Sequence, residues 1–171
     1  MKKSHCDGER NNIITSIMEG QIMEGEQKEF IYTRKTDPSA RIPMKMTLGA
    51  AGFDLYAVEP ATIPPNSSQS IKTGIAIQIP ENYYGAIRGR SRNAFNHEVL
   101  VFNGTIDADY RGEISVLMLN TSKDKPFVVK QEDRIAQIIL TKIHTAIHLV
   151  ENEDNIKPTK RGSAGFGSTG K

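Results

Sequence analysis

Short apolar or alternating runs recur along most of this chain, separated by Gly, Pro, Asn and Asp, with no helix-length periodic segment between them. The runs include FDLYAV, YYGAIRG, GEISVLMLN and RIAQIILTKI. Such spacing is typical of antiparallel strands in an all-β sandwich or jelly roll, and we predict this fold class. Turns are expected at Pro64-Pro65 and Pro80. The stretch around Ser91 to Ala94 is the exception, where a short helix or tight loop is as plausible as a strand.

The two ends of the chain differ from its middle, and its 171 residues amount to about one average domain. Residues 1–27 carry scattered apolar side chains, and we predict a flexible N-terminal extension with one short helix. The folded domain is expected to span residues 28–157, beginning with the strand-forming run FIYT and the turn signal DPS. Residues 158–171 are rich in glycine, and they form either a floppy end or an arm that orders on something it binds.

Composition excludes several classes of protein. A formal charge of +2 gives little field to steer nucleic acid, and the absence of Trp argues against a base-stacking surface. Cys6 is the only cysteine, so no intrachain disulfide framework can form. No apolar leader and no run of about 18 apolar residues is present. We expect a soluble intracellular protein of cytoplasm or nucleus, or of a host cell if viral, with no nucleic-acid or membrane partner.

Two segments could form an anion site. AAGFDLYA places Asp54 between apolar residues, so its carboxylate points either into a polar pocket or into solvent. IRGRSRNAF combines Arg90, Ser91 and Arg92, whose guanidinium groups and hydroxyl suit phosphate oxygens. A solvated basic loop is the alternative interpretation of this second segment.

The segment NGTIDADYRGE is the most informative part of the sequence. Asn103-Gly104 is a strong signal for a two-residue hairpin, and Asp107, Asp109 and Tyr110 follow on the predicted returning strand. Alternation places both carboxylates on one face, where they repel each other unless a cation, a role as a base or solvent accommodates them. Tyr110 could equally pack in the core or face a ligand.

Two further segments lie towards the C-terminus. KQEDRIAQIIL is expected to be an amphipathic strand, with Ile135, Ile138 and Leu140 buried and an ion pair between Asp133 and Arg134. RGSAGFGSTGK has the unhindered backbone of an anion-binding nest and one aromatic side chain that could cover a planar ring. It lacks the pattern of a Walker A loop.

Taken in order, AAGFDLYA, GRSRNA, GTIDADYRGE, EDRIAQIIL and RGSAGFGSTG resemble the five sequence motifs of the trimeric deoxyuridine triphosphatase (dUTPase) family. The resemblance covers residues 28–171. It implies Mg²⁺-dependent hydrolysis of dUTP to dUMP and pyrophosphate, which limits uracil incorporation into DNA and supplies dUMP for dTMP synthesis. It also implies a homotrimer of jelly-roll subunits, each a β-clip or distorted barrel, with the C-terminal arms exchanged between subunits.

The resemblance assigns residues to the reaction itself. Asp107 would hold and activate the attacking water as a general base. Tyr110 would pack against the deoxyribose where a 2′-hydroxyl would clash. The backbone of Asn103, Gly104 and Ile106 would pair with the uracil edge and leave the donors of cytosine mismatched.

The resemblance also assigns residues to the phosphate chain and to the arm. Asp54 would act on the metal ion through water molecules. The arm would close over the nucleotide, with its aromatic ring stacked on uracil. The phosphate-binding residues so implied are Arg90, Ser91 and Gln137, and those of the arm are Arg161, Phe166, Gly167, Ser168 and Thr169.

Three positions depart from the family's pattern, because glycine is usual at each. Arg92 places a long cation where a small residue lets the backbone approach phosphate, and it either adds a contact or obstructs. Glu132 and Ala164 lose backbone freedom, and Glu132 could disturb the turn before Asp133. The alternative functions are a dCTP deaminase, whose pattern lacks the Asp-x-Asp-Tyr run, and a binding or regulatory module with weak or no catalysis.

Overall fold

The structure, a computed structural model, describes residues 31–144, 157–160, 162 and 163. Within these ranges the chain forms eleven β-strands and one short helix, which confirms the predicted all-β class. In chain order the elements are β1 (Tyr32–Lys35), β2 (Phe53–Tyr56), β3 (Ala61–Ile63), β4 (Ser67–Lys72), β5 (Ile75–Gln78), β6 (Tyr83–Arg88), α1 (Ser91–His97), β7 (Val99–Val101), β8 (Gly104–Ile106), β9 (Ser115–Asn120), β10 (Phe127–Val129) and β11 (Arg134–Lys142).

The strands pair only with partners that are not their neighbours in sequence. All strand pairs of the described residues are antiparallel. The largest sheet has the order β2-β11-β6-β8, a second has the order β4-β9-β7, and β1–β5 and β3–β10 form two-stranded sheets. Connections that cross between sheets in this way are typical of β-sandwiches with Greek-key topology. The topology therefore brings residues that are far apart in sequence to one place.

The core is built from alternate strand positions. β9 shows the expected alternation, with Val116, Met118 and Asn120 buried. The side-chain amide of Asn120 donates to the carbonyl oxygens of Ile63 and Lys125, at 3.0 and 2.8 Å. Both of its donors are satisfied, so this polar group is buried without an unpaired N–H.

The predicted turn after the first strand is confirmed. Asp37 Oδ1 accepts hydrogen bonds from the Ser39 hydroxyl at 2.5 Å and from the Ser39 N–H at 2.8 Å. These bonds favour the ionised carboxylate and lower the pKa of Asp37. The prolines at positions 64, 65 and 80 also lie between strands, as expected for residues that lack an N–H to donate.

The predicted hairpin at Asn103-Gly104 is wrong. β7 pairs with β9, and the N–H of Phe102 extends this pairing by donating to the carbonyl of Leu117 at 3.0 Å. β8 pairs instead with β6 in the largest sheet. Phe102 and Asn103 carry the chain from one sheet to another, so long-range pairing overrides the local turn signal.

The carboxylates after β8 do not lie on a strand. Asp107 directly follows Ile106, and the N–H of Tyr110 donates to the carbonyl of Asp107 at 3.2 Å, which closes a turn. The prediction that Asp107 and Asp109 share one strand face is therefore wrong, because alternation holds only in extended backbone. Both residues are exposed.

β11 is confirmed as a strand whose predicted apolar residues are buried or half-buried. The ion pair predicted between Asp133 and Arg134 is wrong. Asp133 Oδ2 accepts the N–H of Lys130 at 2.8 Å and so stabilises the turn that precedes the strand. Arg134 binds a carboxylate on β2 instead.

The stretch that the sequence leaves open, from Ser91, forms the seven-residue helix α1. No helix in the described ranges is long and apolar enough to cross a membrane. The N-terminal extension, Arg161 and residues 164–171 lie outside the described residues.

Candidate active site

A buried carboxylate holds two arginines at one edge of the largest sheet. Asp54 of β2 is 8% exposed, so its environment is the polar pocket and not solvent. Arg90 Nε lies 3.2 Å from Asp54 Oδ1, and Arg134 Nη1 lies 3.2 Å from Asp54 Oδ2. Because burying a lone carboxylate is costly, each guanidinium compensates for water that Asp54 has lost. We call these three residues the Asp54 cluster.

Local backbone features direct both arginines to Asp54. Arg90 has extended backbone, with φ −101° and ψ 131°, immediately before α1, and its Nη1 also donates to the carbonyl of Arg134 at 3.3 Å. The register between β11 and β2 shifts between Arg134 and Ala136. In a regular strand, residues three apart such as Arg134 and Gln137 face opposite sides. The irregularity allows both of them to line one cavity.

Gln137 links β11 to the loop before α1. It lies opposite Asp54 in the β2–β11 register, and its Nε2 donates to the carbonyl of Gly89 at 3.2 Å. Gly52 permits this arrangement, because a Cβ there would lie 2.7 Å from Gln137 Oε1 and 3.1 Å from Gln137 Cβ. The glycine of the first motif therefore serves a close approach and not a turn.

Two adjoining cavities flank the Asp54 cluster. The smaller has a volume of about 260 Å³, and the larger, of about 440 Å³, lies between α1, β10 and the start of β11. Arg90, Arg92 and Arg134 line both of them. The smaller cavity is completed by Met46, Ala50, Gly52, Asp54, Ser91 and Gln137. Three guanidinium groups against one carboxylate make its walls suitable for an anion.

A second group of residues lies at the opposite edge of the same sheet. β8 pairs with β6 on one side, and no strand of the described residues pairs with its other side. An unpaired strand edge presents backbone N–H and C=O groups to a ligand. Asn103 and Asp107 flank β8, and both are exposed.

Tyr110 is held in place by its neighbours although the residue is 43% exposed. Its hydroxyl donates to the carbonyl of Glu113 at 3.0 Å. A Cβ on Gly112 would lie 2.6 Å from Tyr110 Cζ, so the ring packs directly on this glycine. Glu113 Oε1 in turn accepts the N–H of Gly74 at 2.9 Å. Tyr110 is therefore an exposed residue in a fixed position and is not part of the core.

The structure brings the predicted site residues together as two separate groups. None of the site residues on or beside β8 lines either cavity. The group at the cavities contains Asp54, Arg90, Ser91 and Gln137, and the group along β8 contains Asn103, Gly104, Ile106, Asp107 and Tyr110. The arm residues Arg161, Phe166, Gly167, Ser168 and Thr169 lie outside the described residues.

Sequence reasoning missed the parts played by Arg134, Gly112 and Glu113. The one signal for Arg134 is that a cation begins the strand that also carries Gln137. The strand irregularity that turns Arg134 towards the site has no recognisable sequence pattern. Gly112 and Glu113 stand beside Tyr110, and only the packing of the ring shows that they position it.

Glu132 does not prevent the turn before β11. It adopts a positive φ of 66°, the region that favours glycine. The turn still forms, because the N–H of Asp133 donates to the carbonyl of Lys130 at 3.1 Å and the N–H of Glu132 donates to that of Ala57 at 2.8 Å. Its exposed carboxylate lies 3.6 Å from the guanidinium of Arg41.

Known sequences resemble this chain over most of its length. A family model described as dUTPase matches residues 38–170. A deoxyuridine 5'-triphosphate nucleotidohydrolase of Helicobacter pylori is 47% identical over 142 residues, which cover 82% of this chain and 96% of the relative.

Solved structures share the fold. The dUTPase of Staphylococcus bacteriophage 80alpha with dUpNHpp matches with a TM-score of 0.76 and 25% identity, over 84% of this chain and 99% of that one. A variant dUTPase from phage phi11 of S. aureus, described with a structural Mg(II) ion, matches with a TM-score of 0.69 and 23% identity, over 72% of this chain and 98% of that one. These likenesses confirm the predicted fold class.

Asp54→Asn is expected to destabilise the protein by about 2 kcal/mol or more, because it leaves two guanidinium groups without their counter-charge in a partly buried place. Glu132→Gln is the matched control, since it removes a carboxylate from an exposed pair and should cost less than about 1 kcal/mol. Urea unfolding at a fixed protein concentration measures both. Equal losses in the two variants would contradict a structural role for the Asp54 cluster.

Proposed function

This chain belongs to the dUTPase family, and on that premise we propose how its residues hydrolyse dUTP to dUMP and pyrophosphate. The observation that carries the proposal is the division of its polar residues into a cationic group around two cavities and a group with an exposed carboxylate along an edge strand. The first suits a phosphate chain, and the second suits a base, a sugar and a water molecule. The reaction limits uracil incorporation into DNA and supplies dUMP for dTMP synthesis.

Asp107 acts as the general base. Its carboxylate is exposed at the end of β8, and within the described ranges no group donates a hydrogen bond to it. It is therefore free to accept a proton from water as the water oxygen bonds to the α-phosphorus. The bond from that phosphorus to the bridging oxygen breaks, and pyrophosphate leaves with the bonding pair.

The edge of β8 and the ring of Tyr110 select the nucleoside. Pairing with β6 fixes one side of the backbone at Gly104 and Ile106, and Asn103 directly precedes this strand. The outward pattern of N–H and C=O groups therefore cannot readily adjust to a different base. Unpaired polar groups then penalise cytosine. Tyr110, held by Gly112 and Glu113, occupies the space that a 2′-hydroxyl would need.

The residues around the smaller cavity bind the phosphate chain. Arg90, Ser91 and Gln137 line it, and they offer guanidinium, hydroxyl and amide donors. Arg90 and Gln137 are already positioned by Asp54 and Gly89, so little side-chain freedom is lost when substrate binds.

The donor set fits a Mg²⁺ ion that is held mainly by substrate oxygens. In the described parts of the chain no three His, Cys, Asp or Glu side chains converge on a cation position. Each carboxylate oxygen of Asp54 lies 3.2 Å from an arginine nitrogen, so Asp54 would reach an ion through water. Mg²⁺ usually keeps several waters and binds substrate phosphates in this way. When bound, the ion neutralises charge on the departing pyrophosphate.

The active form is a homotrimer with exchanged arms. This is supported by the position of the two groups at opposite edges of one sheet, so that each needs its complement from another copy. Exposed apolar side chains at Met44, Met46, Leu48 and Phe95 give such copies surface to bury. Residues 28–157 form the subunit, residues 1–27 are an extension, and residues 158–171 form the arm with Arg161, Phe166, Gly167, Ser168 and Thr169.

Asp107→Asn is expected to lower kcat for dUTP by about a hundredfold or more while nucleotide binding survives, because only the base is removed. Asp109→Asn is the matched control, since it makes the same change two residues away on the same turn and should cost less than tenfold. Pyrophosphate release from dUTP, dCTP, dTTP and UTP with Mg²⁺ measures activity and selectivity together. Release from none of them by the unaltered chain favours a binding or regulatory module, and an active Asp107→Asn variant contradicts the assignment of the base.

Gly112→Ala is expected to reduce the preference for dUTP over UTP by about tenfold, because a methyl group at this position displaces the Tyr110 ring from the space beside the sugar. The ratio of kcat/KM for the two substrates measures this. Gly49→Ala is the control, because nothing lies within 4 Å of a Cβ at that position. An unchanged ratio in Gly112→Ala would show that the ring does not select the sugar.

Removal of residues 161–171 is expected to lower kcat/KM for dUTP by about a hundredfold with little change in thermal stability, because closure of the arm completes the site. Deletion of residues 1–27 is the control and should retain activity. Thermal unfolding and steady-state kinetics distinguish lost closure from lost folding. Full activity after removal of the arm would contradict the roles of Arg161 and Phe166.

A further inference from the structure

Of the three arginines that line both cavities, one has no partner within the described residues. Arg92, in the first turn of α1, is exposed and lines both cavities. Within the described residues it makes no hydrogen bond or ion pair. We propose that Arg92 binds the terminal phosphates of the substrate and so makes the site selective for a triphosphate over a monophosphate. This inference rests on the proposed function and deepens it.

The other two arginines that line both cavities already form ion pairs within the protein. Arg90 and Arg134 both bind Asp54 at 3.2 Å, and Arg90 also donates to the carbonyl of Arg134. Part of their charge is thus offset before any ligand arrives. Arg92 makes no ion pair with a described carboxylate, so of these three arginines it keeps the most charge available to an anion.

The position of Arg92 suits the outer end of a phosphate chain. Ser91, its neighbour, lines only the smaller cavity, whereas Arg92 also borders the larger one. A chain bound beside Ser91 and Gln137 would extend past Arg92 towards the larger cavity. Lys130 lines that cavity too, and together with the three arginines it outnumbers the one carboxylate among the lining residues, that of Asp133, so the larger cavity is cationic as well.

Guanidinium chemistry suits this task. The planar fork of an arginine can donate two parallel hydrogen bonds to phosphate oxygens, which a lysine cannot reproduce. A guanidinium is also more weakly hydrated than an ammonium, so Arg92 loses less than a lysine would when it leaves water to bind phosphate. Because glycine is usual at this position of the motif, the contact would be a property of this chain and not of the motif.

The test compares Arg92→Gln and Arg92→Lys with the unaltered protein. We expect Arg92→Gln to raise KM for dUTP and the inhibition constant of pyrophosphate by about tenfold each, from the loss of hydrogen bonds to a charged group. The inhibition constant of dUMP should stay within about twofold, because dUMP lacks the phosphates that Arg92 contacts. Arg92→Lys should recover only part of the loss, since it restores charge without the fork.

Lys123→Gln is the matched control for a simple loss of surface charge. Lys123 is exposed and lines neither cavity, so its removal should change all three constants by less than about twofold. Equal effects of Arg92→Gln and Lys123→Gln would overturn the proposal. So would unchanged constants in Arg92→Gln, or a lower KM, which would mean that Arg92 obstructs the site.

Direct calorimetric binding of inorganic pyrophosphate separates this inference from the proposed function. If the unaltered chain turns over no dUTP yet binds pyrophosphate, and Arg92→Gln weakens that binding about tenfold, the function fails and the anion contact stands. If dUTP is hydrolysed but pyrophosphate binds both proteins equally, the function stands and the inference fails. Thermal unfolding of each variant confirms that the comparison is between folded proteins.

Discussion

The buried carboxylate of Asp54 on β2 requires two arginines nearby to compensate its charge. Asp54 is 8% exposed, and a charge so far removed from water must be met by opposite charge close by. Arg90 and Arg134 meet it from the loop before α1 and from the first residue of β11, each at 3.2 Å. Three segments are held together in this way, and the walls of both cavities depend on where they meet.

The Asp54 cluster depends in turn on pairing between distant strands. Asp54 and Arg134 are 80 residues apart in sequence, and they meet because β11 lies beside β2. The same sheet places β8, and with it Asp107, at its other edge. One sheet therefore carries both groups of site residues but keeps them apart. This separation is the structural observation that supports the proposal of an active form with more than one copy of the chain.

Local features were predictable from the sequence, and features that depend on distant segments were not. Alternation in SVLMLN predicts β9, and Asp37-Pro38-Ser39 predicts a turn, because each depends on neighbouring residues alone. Asn103-Gly104 wrongly predicts a hairpin, because β7 pairs with β9 and β8 pairs with β6. The sequence predicts that Arg134 pairs with its neighbour Asp133, because the strand irregularity between Arg134 and Ala136 leaves no recognisable pattern. The roles proposed for the site residues come from the resemblance of five short motifs to a family. The spacing of these residues in the sequence does not by itself predict how their side chains are arranged in space.

Burial also decides which cations are available to a ligand. A half-buried arginine such as Arg90 or Arg134 is paired within the protein, because an uncompensated charge there would cost a sizeable part of the free energy of folding. The pair then serves to fix geometry, and its attraction for a further anion is reduced by the carboxylate it already binds. An exposed arginine such as Arg92 remains solvated when no ligand is present, so it needs no internal partner and keeps its full charge. A site that must be both rigid and attractive to phosphate therefore needs paired arginines and an unpaired one. The half-buried, paired arginines fix the geometry, and the exposed arginine attracts the phosphate.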